Sequence, residues 1–270
     1  MPSSPATPFL ARAVADTRAA SERRAAGLPL GELRASAAAA PPARGLRAAL
    51  ARPGTAVVAE VKRRSPSRGD IRANLDPAAL AGAYERGGAA AVSVLTEPVH
   101  FAGSPEDLMA VRAAVDLPVL RKDFVTTPYQ VWEAHAWGAD AVLLIVAALE
   151  PALLVDLLDE ARAAGLDALV EVHTREEAAV AELAGAALVG VNARDLATLE
   201  VDLGRFVQIR EALPAGATVV AESGISTRAQ VEAAAAAGAD AVLVGESLVR
   251  SDDPEELLAV LLGQRSGSLR

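Results

Sequence analysis

The stretches GADAVLLIV (138–146) and GADAVLVGES (238–247) are near-copies of one phrase, set far apart in the chain. Each reads as a glycine closing a helix, a short turn, then an apolar strand. Looser variants stand at GGAAAV (87–92) and GLDAL (165–169). Working outward from them, eight short β-branched runs appear: TAVVAEVK (55–62), AAAVSVLT (89–96), PVLRKDF (118–124), DAVLLIV (140–146), DALVEV (167–172), ALVGVN (187–192), TVVAES (218–223) and AVLVGES (241–247). Longer Ala/Leu/Glu/Arg stretches of helical spacing separate them. Runs this apolar belong to a parallel sheet covered on both faces. Eight such units in succession predict an α/β chain folded as a closed (β/α)₈ barrel over residues 55–262. An open doubly wound sheet would carry a Gly-rich dinucleotide turn after its first strand. That place holds KRRSPSRGD (62–70), which is no such fingerprint.

The flanks read differently. Residues 1–8 (MPSSPATP) form a disordered start and residues 263–270 (GQRSGSLR) a disordered tail. Between them and the barrel, residues 9–54 form a helical extension of one or two helices, with Phe9, Leu10, Ala13 and Val14 at helical spacing. Its arginines also suit a transit peptide, but Asp16, Glu22 and Glu32 count against that reading.

The chain has 270 residues, is 52% hydrophobic and carries a net charge of −9, which argues against nucleic acid as its main partner. A small anionic substrate remains compatible, because local cations override a global field. There is no uncharged apolar run long enough for a membrane span and no secretory leader pattern, so the expected location is the cytosol. With no cysteine there is no disulfide and no thiolate nucleophile. The expected form is a monomer or weak homo-oligomer.

Of the 26 lysine and arginine residues only two are lysine, Lys62 and Lys122. Guanidinium keeps its proton, whereas ammonium can release one when its surroundings demand it. A lysine that survives in so arginine-rich a chain is therefore a candidate for chemistry. Barrel enzymes work at the C-terminal ends of their strands, and strand alternation tells which residues share a face. On the first run Glu60 and Lys62 share one. On the third, Lys122 and Phe124 do, with Asp123 on the other side. Leu169, Glu171 and His173 align on the fifth, and Asn192 and Arg194 on the sixth. The seventh ends in Glu222-Ser223-Gly224 and the eighth in Gly245-Glu246-Ser247. Facing inward, these sets gather two ammoniums, a guanidinium and three carboxylates at one mouth. A purely structural ion-pair network is the alternative, but desolvation offsets most of the attraction in such a network. Taken singly, Arg194 could pair with a carboxylate, and Glu222 could orient a lysine or a substrate hydroxyl.

Small residues in ESGIS (222–226) and VGES (244–247) stand where barrels bind phosphate through backbone N–H groups. Gly224 and Gly245 would allow close approach, unless they are ordinary turn glycines. Glu246 would then have to point away from the anion. The long connection from Arg63 to Asp76 reads as a substrate-covering lid or a loose surface loop. His100, His135 and His173 form no metal-binding spacing, and no metal is expected.

These residues resemble one family. Glu60-Val61-Lys62 followed by Arg-Arg-Ser65-Pro66-Ser67, LTEPVHFAGS (95–104), LRKDF (120–124), LVEVHTREE (169–177), VGVNARDL (189–196), VAESGI (220–225) and VGESL (244–248) are similar to the indole-3-glycerol-phosphate synthases of tryptophan biosynthesis, in their monofunctional form. The resemblance spans nearly the whole chain. It implies ring closure of 1-(o-carboxyphenylamino)-1-deoxyribulose 5-phosphate, with loss of carbon dioxide and water and without a cofactor. It implies Lys122 as the acid that protonates the substrate carbonyl. Lys62 is implied as partner of the substrate carboxylate and as a proton source in dehydration. Glu171 and Glu60 would serve the anilino nitrogen and the dehydration, with their division of labour left open. Asn192, Ser65, Arg194, Glu222 and Ser223 would orient substrate. Phe101, Phe124, Leu143 and Leu196 would hold the aromatic ring, and Gly224, Gly245 and Ser247 the phosphate. Two rivals remain on the same barrel: a Schiff-base aldolase with Lys122 as nucleophile, and a non-catalytic sugar-phosphate regulator.

Overall fold

The computed structural model describes residues 8–37, 40–194, 201–202 and 204–264. Strands β1 (Ala56–Val61), β2 (Ala91–Leu95), β3 (Val119–Lys122), β4 (Ala141–Ile145), β5 (Asp167–Val172), β6 (Leu188–Asn192), β7 (Thr218–Glu222) and β8 (Ala241–Val244) close into a barrel. Each strand is parallel to both neighbours, and β1 joins β8 with Ala56 opposite Ala241. The expected eight-stranded barrel is present, with several runs trimmed at their ends. The seventh and eighth end at Glu222 and Val244, because the chain turns at Ser223 and re-enters a helix at Glu246.

Period-two alternation sorts the apolar residues into two cores. Val58, Leu120, Leu143, Leu169, Leu188, Val220 and Leu243 point inward and fill the barrel. Val57, Val92, Val119, Leu144, Val170, Val189, Val219 and Val242 point outward against the helices. The repeated phrase has a structural meaning beyond its glycine. Gly138 and Gly238 adopt φ of 87° and 91° and end helices. Asp140, fully buried, accepts hydrogen bonds from the backbone N–H of Val119 and of Arg44, each at 2.7 Å. Asp240 accepts from Val219 N at 2.8 Å. Each aspartate thus ties the start of its own strand to the start of the one before it.

The extension holds three helices among the described residues, α1 (Pro8–Gly27), α2 (Leu30–Ala37) and α3 (Leu46–Leu50), where one or two were expected. Pro41-Pro42 interrupts the run, and α3 is too short to show a helical period. Leu46 and Leu50 of α3 enter the inner core at the N-terminal end of the strands, where Arg47 N donates to Asp167 Oδ2 at 2.8 Å. At the opposite end, Phe9 of α1 meets Phe124 with ring centroids 6.3 Å apart. Pro8 already belongs to α1, so helix begins one residue inside the expected disordered start; residues 1–7 and 265–270 lie outside the described set.

Around the barrel run α4 (Pro77–Arg86), α5 (Pro105–Ala114), α6 (Pro128–Ala136), α7 (Pro151–Ala163), α8 (Arg175–Leu183), α9 (Gly204–Arg210), α10 (Arg228–Ala236), α11 (Glu246–Arg250) and α12 (Pro254–Leu261). Several start sharply because Asp76, Ser104, Thr127 and Asp253 cap them just before a proline. Each cap fixes where its helix starts after the preceding connection. The long connection after β1 is folded: Arg64–Ser65 pairs antiparallel with Gly69–Asp70. Arg63 fastens its base by pairing with Asp107 and donating to Leu75 O.

Candidate active site

At the C-terminal ends of the strands lies a cavity of about 980 Å³. Alternation delivers its polar floor. The residues that continue each inward-facing set past the apolar core are Glu60 and Lys62 from β1, Lys122 from β3, Glu171 from β5, Asn192 from β6 and Glu222 from β7. All of these line the cavity, as do Ser65, Phe101, Phe124, Leu143, Arg194, Ser223, Gly224, Gly245 and Ser247. Leu196 lies outside the described residues. Ser65, at the tip of the hairpin strand, is buried against the site.

The charges are tightly interlocked. Lys62 Nζ lies 2.5 Å from Glu60 Oε1. Lys122 Nζ lies 3.2 Å from Glu171 Oε2 and 3.4 Å from Glu222 Oε2. Asn192 Nδ2 donates to Glu171 Oε1 at 3.1 Å, and Asn192 Oδ1 accepts from Ser223 Oγ at 2.8 Å and from Arg194 N at 3.0 Å. Ser223 has φ of 69°, a left-handed conformation that costs a non-glycine residue about 1–3 kcal/mol. The strain is spent on aiming its hydroxyl at Asn192.

Burial and these contacts set the protonation states. Burial alone would pull the Lys122 ammonium down, but Glu171, Glu222 and Glu60 outweigh it and hold its pKa above the ordinary lysine value. Burial pushes Glu171 up, yet Lys122, His173 and Asn192 bring it well below the usual carboxylate range. For Glu222 burial and the neighbouring Glu171 and Glu60 win over Lys122, raising it to about 8. At neutral pH the floor therefore holds a charged lysine, an ionised Glu171 and a protonated Glu222. Glu222 Oε1 is buried without a hydrogen-bond partner among the described residues, as is Ser247 Oγ.

Two glycines have a reason that sequence reading did not supply. A Cβ on Gly245 would stand 2.6 Å from Glu60 Oε1, and one on Gly190 would stand 2.0 Å from Glu222 Oε1. Each carboxylate occupies room that any side chain would take. Gly245 thus makes space for Glu60, whatever else it does. Glu246 does not point away from the cavity as expected. It lines the wall and is paired with Arg250 at 3.1 Å and Arg68 at 3.5 Å. Its charge is offset by two guanidiniums rather than by distance. Asp123 keeps its side chain on the face opposite Lys122, as alternation expects: its carboxylate is buried and accepts from Arg121 Nη2 at 2.9 Å and from Thr96 Oγ1 at 2.6 Å. His173 stands behind Glu171 and outside the lining. Among the described residues no group of three or more His, Cys, Asp or Glu is arranged to hold a metal.

The family model for indole-3-glycerol phosphate synthase matches residues 10–261. The chain belongs to the indole-3-glycerol phosphate synthase family. An indole-3-glycerol phosphate synthase of Mycobacterium avium is 56% identical over 259 residues, covering 96% of this chain and 95% of that protein. One from Mycobacteroides abscessus is 57% identical over 239 residues, 88% of each. Among solved structures, a thiamine phosphate pyrophosphorylase from Pyrococcus furiosus superposes with a TM-score of 0.59 at 20% identity, over 80% of this chain and 96% of that one. At that identity the likeness shows the barrel fold and nothing further.

Within this member of the indole-3-glycerol phosphate synthase family, the cavity has an apolar side that sequence reading saw only in part. Phe9, Leu95, Ile145 and Leu243 join Phe101, Phe124 and Leu143 there. Ile145 and Leu243 were within reach of the alternation argument, which places Ile145 on the face of Leu143. Phe9 was not, since nothing local says that the extension folds back over the mouth. Glu97 was also missed. It is buried and accepts the backbone N–H groups of Val99, His100 and Phe101 at 2.9, 2.6 and 3.1 Å, which shapes the loop that presents Phe101.

Proposed function

We propose that the protein closes the indole ring of 1-(o-carboxyphenylamino)-1-deoxyribulose 5-phosphate, releasing carbon dioxide and water and leaving indole-3-glycerol phosphate. The observation that carries this reading is the charged Lys122 held between Glu171 and Glu222 on the floor of a cavity with one apolar aromatic side and one polar side. A flat anilino ring suits the wall of Phe101, Phe124 and Leu143, and the sugar phosphate suits the side of Ser223, Gly224, Gly245 and Ser247.

In this reading the ring carbon bearing the carboxylate attacks the substrate ketone, and Lys122 gives its proton to the developing alkoxide. A positioned acid of this kind contributes roughly 10²–10⁴ in rate. Lys62 holds the substrate carboxylate next to the apolar wall. There carbon dioxide leaves as a neutral molecule, and its electron pair passes to the iminium formed by ring closure. The hydroxyl is then lost as water. A cation must supply a proton to it, which falls to Lys62 once the carboxylate has gone. A carboxylate must remove the ring hydrogen or the anilino proton, which falls to Glu171 or Glu60. Asn192, Arg194 and Glu222 orient the substrate, and Leu196 is assigned to the ring pocket on sequence alone. The same reading places the enzyme in the cytosol as a monomer or weak homo-oligomer, for which sedimentation of the purified protein is the check.

The aldolase alternative needs Lys122 as a free amine. The carboxylates around it raise its pKa and keep it protonated, which disfavours nucleophilic attack. Supplying the carboxyphenylamino-deoxyribulose phosphate and following indole fluorescence tests the proposal. Folded protein without signal would overturn it, and a borohydride-trapped adduct on Lys122 would favour the aldolase.

A further inference from the structure

His173 is a buried titratable group that the reaction as written leaves unused. It follows β5 directly and is 8% exposed. Its ring sits between two carboxylates: Nε2 lies 3.3 Å from Glu171 Oε1, and Nδ1 lies 3.3 Å from Glu177 Oε2. Glu177 is itself fixed. Its carboxylate accepts from His173 N at 2.7 Å, and its own N–H donates to Thr174 Oγ1 at 3.1 Å in the first turn of α8. The charged groups facing the ring are therefore Glu171 of β5 and Glu177 of α8, with Lys122 of β3 beyond Glu171.

A neutral imidazole has one N–H and one lone pair. Nδ1 is the nitrogen aligned on its carboxylate, while Nε2 stands 3.3 Å from Glu171 Oε1 without hydrogen-bond alignment. A neutral ring answers Glu177 alone, whereas a charged ring is attracted to both anions at these distances. We propose that His173 is a positioning residue, an imidazolium clamped between Glu171 and Glu177 that holds the Glu171 carboxylate ionised and aimed at Lys122. The proposal rests on the reading of Glu171 as a site carboxylate. Burial opposes the charge, but Glu171 and Glu177 outweigh it and bring the histidine up to about 9. Glu171 then faces a cation on each side, Lys122 at Oε2 and His173 at Oε1, with Asn192 adding a hydrogen bond at Oε1. A ring that merely braced β5 against α8 would need no charge.

The chain has three histidines, so an imidazole NMR titration is readily assigned by comparison with His173→Gln. The clamp requires His173 to titrate near 9 in the protein without substrate, and Glu177→Gln to lower that value by about one unit or more. In turnover, His173→Gln keeps a donor but loses the charge. Its kcat should fall about tenfold with KM changed less than about threefold, and the acid limb of its kcat profile should move to higher pH as Glu171 protonates more readily. Titration near the ordinary value of about 6.5, or a His173→Gln profile superimposable on that of the wild type, would overturn the clamp. The titration needs no turnover. It therefore judges the clamp even if the wild type proves inactive on the proposed substrate, and the Glu177 variant keeps it testable if His173→Gln does not fold.

Discussion

Replacing Gly190 by alanine is the most informative single perturbation, because it adds one methyl group and changes no charge. On propensity alone alanine should help, since glycine inside a strand costs roughly 0.5–1 kcal/mol. The geometry says otherwise. The new Cβ would stand 2.0 Å from Glu222 Oε1 and 3.1 Å from Glu222 Cδ. An ordinary contact needs well over 3 Å, so the carboxyl must retreat by more than about 1 Å. It cannot do so and keep its 3.4 Å approach to Lys122. Overpacking of this kind costs about 1–3 kcal/mol, which exceeds the propensity gain. A net loss of about 1–2 kcal/mol lowers the melting temperature by roughly 2–8 °C in a chain of this size. Displacement of about 1 Å in a site costs on the order of 10²-fold in rate. The assay pairs a melting curve with kcat and KM from indole fluorescence. The expected result is a folded protein with turnover reduced about 10- to 100-fold. Gly190→Ala with wild-type turnover and a raised melting temperature would refute the claim that Gly190 exists to house Glu222.

Other perturbations bear on separate parts of the account. Lys122→Arg keeps the charge but cannot release the proton, so turnover should drop at least about 10²-fold while the circular dichroism spectrum stays unchanged. Glu222 is raised from 4.5 to about 8 in the folded state, so its contribution to stability is present below the lower value and is lost as pH rises through that window. Denaturation of Glu222→Gln between pH 5 and pH 8 should therefore show a shallower decline than the wild type, and parallel declines would contradict the assignment. Asp140→Ala strips the partners from Val119 N and Arg44 N and from the nearby Arg112, 3.3 Å away. It should cost about 3–5 kcal/mol in urea denaturation without touching the cavity.

The fold was legible because its signals are local and repeated. GADAV combines a helix-ending glycine, a buried aspartate and a strand, and the chain states that phrase more than once. Alternation then carried Glu60, Lys62, Lys122, Glu171, Asn192 and Glu222 to one cavity, since a strand's period is strict up to its last residue. It also put Asp123 on the opposite face, where that side chain pairs with Arg121. What sequence could not show are facts about neighbours across the barrel. Gly190 and Gly245 look like any strand or turn glycine until Glu222 and Glu60 are seen filling the space beside them. Phe9 gives no local sign that it closes the mouth. The Glu171–His173–Glu177 spacing was visible, but which way each side chain turned was not. The third helix of the extension was hidden by its five-residue length and the preceding prolines.

The central claim is that ring closure and decarboxylation occur together in this cavity, with Lys122 supplying the proton. Substrate carrying ¹³C in the carboxylate tests it most directly, with labelled carbon dioxide and indole-3-glycerol phosphate measured in the same reaction. The account requires the two to appear one for one with the wild type, and both to fall at least about 10²-fold with Lys122→Met. Labelled carbon dioxide released without indole product, or undiminished product from the Lys122 variant, would contradict it.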